Sequence, residues 1–89
     1  MENTKRIIQG QHSAHQRNKL SLWTVYDHPI DFPNSYVARR FEVNADGPVA
    51  TGDLIQGELD AIRKSFHQAG LTCLTRNEGD EPQIVESWL

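Results

Sequence analysis

Residues 22–43, LWTVYDHPIDFPNSYVARRFEV, constrain the fold more than any other part of the chain: two runs rich in aromatic and β-branched residues are held apart by a connector with two prolines. Trp23, Thr24, Val25 and Tyr26 mark a first strand over residues 20–26, and the connector, DHPIDFPN, stops it at His28-Pro29. Each proline restrains the residue before it to extended backbone, and Asp and Asn side chains hold turns. Ile30 and Phe32 are expected to fold back onto the domain.

A second strand over residues 36–43 alternates more cleanly. Val37, Arg39, Phe41 and Val43 share one face, and Tyr36, Ala38, Arg40 and Glu42 share the other. The more apolar first set is assigned to the core. Arg39 is then the anomaly on that face, with its stem along apolar surface or its guanidinium paired to a carboxylate such as Glu86.

The first 19 residues, MENTKRIIQGQHSAHQRNK, offer only Ile7 and Ile8 as a sizeable apolar pair, too little to offset the entropy of ordering, so residues 1–19 read as a flexible basic arm. Residues 20–89 read as one small α+β domain. The arm carries a net charge of +3 and the rest −6, within a total of −3. An acidic folded part disfavours polyanions such as nucleic acid. His12 and His15 have a spacing that a helix turns toward one metal, but a third ligand is missing, and an uninvolved pair is the better reading.

After a Gly- and Pro-containing loop, Asp53 as N-cap with Gln56 at the third helical position predicts a helix whose stripe is Ile55, Leu59, Ile62 and Phe66. Gly57 weakens its first turn, Gly70 supplies its left-handed stop, and His67 complements its dipole. A third strand follows over residues 71–75, with Cys73 as a small core residue. The acidic segment NEGDEP reads as a solvated connector, since it lacks the ligand order of a calcium loop. Residues 83–89 make a last strand that is apolar on both faces and so interior. The expected fold is α+β, ββαββ, with a four-stranded antiparallel sheet in the order 1-2-4-3 and one helix on one face.

The pattern WTxYxxPxDFPxxYVxRRF, together with the closing IVExWL, resembles a group of short, uncharacterised bacterial proteins; the likeness covers most of residues 22–89 and leaves out the arm. That resemblance carries no activity, cofactor or site residue across to this chain.

Asp27, His28 and Asp31 are the nearest approach to a reactive cluster, since an imidazole beside carboxylates can act as a base or share a metal. No nucleophile or glycine-rich anion loop accompanies them, and turn chemistry around two prolines explains them as well. No catalytic residue, metal or cofactor is assigned. One helix cannot cover both faces of a sheet, so Tyr36, Arg40, Glu86 and Trp88 are expected together on the open face, where such residue types form interface hot spots. The leading expectation is a non-enzymatic protein-binding module, an inhibitor, adaptor or regulator, acting as monomer or homodimer. The alternative is a nucleic-acid binder that stacks bases on Tyr36 and Trp88 while the arm tracks phosphates. No apolar run reaches the roughly 20 residues of a membrane helix. The lack of a secretory signal and the lone cysteine point to the cytoplasm.

Overall fold

The computed structural model describes residues 2–75 and 82–89. Helix α1 (Glu2–Gln16) is followed by strands β1 (Leu20–Asp27), β2 (Tyr36–Asn44) and β3 (Gly47–Gly57), helix α2 (Leu59–Gln68), and strands β4 (Cys73–Thr75) and β5 (Ile84–Trp88). The strands form one sheet in the order β3-β2-β1-β5-β4, with every neighbouring pair antiparallel. The α+β class expected from the sequence holds, with five strands and two helices among the described residues where four and one were expected.

Residues 2–16 are not a loose arm. Ile7, Gly10 and Ala14 recur at helical spacing and are buried, so α1 presents a narrow stripe made mostly of small side chains. Small residues give little apolar signal in a sequence, yet they bring a helix close to what it packs on. The helix ends in a Schellman motif: Asn18 is left-handed (φ 54), its N–H reaches the carbonyl of His15, and the Lys19 N–H reaches that of Ala14. Helix α2 ends in the same way, with Gly70 at φ 83 and the N–H groups of Gly70 and Leu71 on the carbonyls of His67 and Phe66.

The expected helix start at Asp53 is corrected, because residues 47–57 pair with β2 across a tight turn as an eleven-residue strand. Gly57 closes that strand, and α2 begins five residues later than expected, with Glu58 at its N-cap. Ile55 still reaches the core alongside Ile62 and Phe66, from a strand rather than from the helix. The hairpin also explains the corrected strand order. With β3 on one edge of β2 and β1 on the other, the last strand has no place beside β2 and pairs with β1 instead.

One apolar core joins Ile7 of α1, Trp23 and Val25 of β1, Ala38 of β2, Ile55 of β3, Ile62 and Phe66 of α2, Leu71, and Trp88 of β5. Trp88 stacks on Phe66 (5.1 Å between centroids, planes 18° apart), and Trp23 meets the same ring edge-on at 5.8 Å. Each indole N–H is satisfied: Trp23 donates to Gln11 of α1 and Trp88 to Glu86. Both helices thus lie on a single face of the sheet. The acidic segment of residues 77–81 falls outside the described residues.

Candidate functional site

Strand alternation correctly groups Tyr36, Arg40, Glu86 and Trp88, but the face they share is the one beneath the helices. Trp23 pairs with Arg40 on one side and Trp88 on the other, while Val25 pairs with Ala38 and Glu86, so all six point into the helix-covered core. Trp88 is 2% exposed, Arg40 5% and Glu86 6%, and Tyr36 is half-buried against the same core. They are not an open docking patch. Assigning Phe41 and Val43 to the core is corrected with it, while Val37 is fully buried as expected, though on the face away from the helices; the deciding factor is the ability of Arg40 and Glu86 to enter the core in company.

That company is ionic. Arg40 Nε donates to Asp53 Oδ2 (2.7 Å), and its Nη1 donates to Glu42 Oε2 (2.9 Å), Ser21 Oγ (3.3 Å) and the Gly10 carbonyl (3.4 Å). Glu42 is held in turn by Arg17 at the end of α1. Hydrogen bonds from Arg17, opposed by burial and reinforced by Arg40, bring the Glu42 carboxyl down to about 2. Arg39, on the opposite face, pairs with Asp31 rather than Glu86. Glu86 is gripped by Arg63 of α2, whose Nη2 lies 2.7 Å from Oε1, and by the Trp88 indole at 2.8 Å. Burial pushes the Glu86 carboxyl up, but Arg63 and Trp88 together outweigh it, and the net shift is downward. These carboxylates lock the two helices to the sheet; a buried charge left alone would be strongly unfavourable.

The connector residues do not converge. Asp27 hydrogen-bonds the ring of its neighbour His28, which is left-handed (φ 45) and edge-on to Tyr36, whereas Asp31 is committed to Arg39. Among the described residues no three His, Cys, Asp or Glu side chains come together as metal ligands would. His12 and His15 are exposed on α1. Cys73, expected in the core, is exposed on β4. No helix among the described residues is long and apolar enough to cross a membrane.

No protein-family model, curated protein or solved structure matches this chain. Its own geometry is therefore the guide to its site.

The sheet face away from the helices has two parts. At one end the connector folds over it: Arg39 reaches Asp31 and the Phe32 ring, Pro29 is buried, and Val37 beside them is fully enclosed. Phe32 folds back as expected, while Ile30 points outward, 90% exposed. At the other end neither helix lies over this face of the sheet. Leu22 pairs with Phe41 and Leu20 with Val43, and Phe41 and Val43 pair onward with Ala50 and Pro48 of β3. By alternation these six side chains share one surface, with Leu20 51% exposed, Pro48 and Ala50 exposed, and Leu22, Phe41 and Val43 partly buried. Alternation makes this patch the more apolar side of β2 and so assigns it to the core; the packing of α1 on the other face overturns that assignment.

Proposed function

We propose that this chain is a small protein-docking module that works through the uncovered sheet surface formed by Leu20, Leu22, Phe41, Val43, Pro48 and Ala50. The observation that carries the reading is the placement of both helices on the opposite face, which leaves a contiguous apolar surface across three strands. The surface is uncharged at its centre and polar at its ends, where Lys19 bonds Asn44 and Arg39 bonds Asp31. An apolar centre with a polar rim is the anatomy of a protein interface. The partner is a protein that presents an apolar surface of its own.

A nucleic-acid role has less to stand on than it had from the sequence. Trp88 is occupied by Phe66, and Arg17 of the basic segment is taken by Glu42.

Site-specific photo-crosslinking tests the docking role. A photoreactive side chain at position 22 is expected to yield a discrete protein adduct in the native cell, lost on Phe41→Glu. The same group at Lys64, exposed on α2, is expected to yield none. Indistinguishable adduct patterns at the two positions would reject the reading.

A further inference from the structure

A cleft of about 470 Å³ lies between α1 and the middle of β3, bordered by Arg6, Gln9, Gly10 and Ser13 on one side and Gly52, Asp53 and Leu54 on the other, with Arg40 at its base. It is on the opposite side of the sheet from the docking surface and does not depend on it.

Two irregularities build it. The β2–β3 pairing runs from Arg39↔Leu54 to Phe41↔Ala50, so Thr51, Gly52 and Asp53 all stand opposite Arg40. This bulge is tied down by the Thr51 hydroxyl, which donates to the Arg40 carbonyl and accepts from the Asp53 N–H, and Gly52 takes the left-handed backbone (φ 91) that the excursion requires. Its effect is to aim the Asp53 carboxylate at Arg40. On the opposite wall, Gly10 leaves room for the Arg40 side chain, since a Cβ there would stand 2.7 Å from Cδ and 2.8 Å from Nε.

The polar groups of this cleft are only partly used. The Arg40 side chain is 6% exposed, and its Nε and Nη1 are bonded, but Nη2 donates to no group among the described residues. Fully enclosed side-chain nitrogens and oxygens there all have partners, so Nη2 reaches solvent, at the cleft that Arg40 lines. Asp53 uses Oδ2 for Arg40 and keeps Oδ1, and the half-exposed Arg6 stands at the rim. A free donor and a free carboxylate oxygen therefore adjoin, on side chains already bonded to each other at 2.7 Å.

Charge narrows the ligand. Arg40 is already offset by Asp53 and Glu42, so a bare anion gains little there; a bare cation meets Arg6 and Arg40. A zwitterion of no net charge, with its ammonium and carboxylate on one carbon, satisfies both free groups at once. We infer that the cleft binds a free α-amino acid, its carboxylate on Arg40 Nη2 and Arg6 and its ammonium on Asp53 Oδ1. The volume is within the range of small-molecule sites.

NMR titration of the intact chain tests this, following the Arg40 Nε–H and the amides of Gly52 and Asp53. The probes are glycine, L-alanine and L-glutamine, against acetate, methylammonium and 4-aminobutyrate, whose charges are set apart. Saturable shifts are expected with at least one α-amino acid below about 10 mM. They are expected to be at least tenfold weaker with each control, and weakened as much by Asp53→Asn, which keeps an acceptor for Arg40 Nε. Arg6→Gln leaves the buried network alone and is expected to weaken binding severalfold. Absence of saturable shifts with all three amino acids, an equal response to acetate, or undiminished binding by Asp53→Asn would overturn the inference.

Discussion

Gly10 of α1 faces Arg40 of β2 with no room for a side chain between them: an added Cβ would stand 2.7 Å from Arg40 Cδ, and the Arg40 guanidinium bonds the Gly10 carbonyl. The helix is seated over a charged residue, and the missing methyl makes that seat possible.

Substituting Gly10 with alanine sets two effects against each other. Helix propensity favours alanine by about 1 kcal/mol. Forcing a Cβ into a packed site costs about 1–3 kcal/mol, and Arg40 cannot swing away without leaving Asp53, Glu42 and Ser21. The expected result is a net loss of about 1 kcal/mol in urea unfolding. In an Arg40→Ala background the clash is gone, and Gly10→Ala is expected to become stabilising; a double-mutant cycle reads the change of sign.

Truncations in the tryptophan core and on the bare sheet surface should differ sharply in cost. Trp88→Ala removes a ring stacked on Phe66 and leaves Glu86 one donor short, with an expected loss of roughly 3–5 kcal/mol. Phe41→Ser, on the uncovered surface, is expected to cost less than half of that. Unfolding curves of both variants check the contrast, and equal losses would place Phe41 in the core.

Acid should weaken the fold through its carboxylates. Glu42 and Glu86 bind a proton less readily in the folded chain than in the unfolded one, so acid favours unfolding. Their stabilisation is complete above the ordinary carboxyl value of 4.5 and is lost as pH falls, for Glu42 through about 2. Glu42→Gln is expected to flatten the dependence of stability on pH between about 4.5 and about 2. Urea midpoints across that range measure it; an unchanged slope would contradict the Arg17–Glu42 pairing.

The thiol of Cys73 is expected to be sluggish despite its exposure. Burial of the sulfur and the charge of Glu86 push its pKa upward, against a smaller opposite pull from Arg63. Alkylation by iodoacetamide is expected to rise with a midpoint above that of a free cysteine, followed by mass spectrometry.

Gly70→Ala probes the end of α2, where the left-handed backbone (φ 83) completes the Schellman motif. A Cβ in that conformation costs roughly 1–2 kcal/mol, with little change expected in the native spectrum.

Period-two alternation was enough to place Tyr36, Arg40, Glu86 and Trp88 on a common side of the sheet, and the stripe Leu59, Ile62 and Phe66 with Gly70 was enough to define the body and end of α2. Within each strand these are local regularities, Tyr36 with Arg40 and Glu86 with Trp88 lying a few residues apart. The side of the sheet that would be covered was not local. It depends on α1, whose buried stripe has Ile7 as its one large apolar residue beside the small Gly10 and Ala14, and on the β3 hairpin, whose bulge aims Asp53 at Arg40. A buried arginine looks like a surface residue until Gly10, Ser21, Glu42 and Asp53 meet around it from four separate elements. The sequence alone determined the grouping of faces; tertiary structure decided which face is inside, because Asp53, Ser21 and the Gly10 carbonyl join the nearby Glu42 around Arg40 only when the chain is folded.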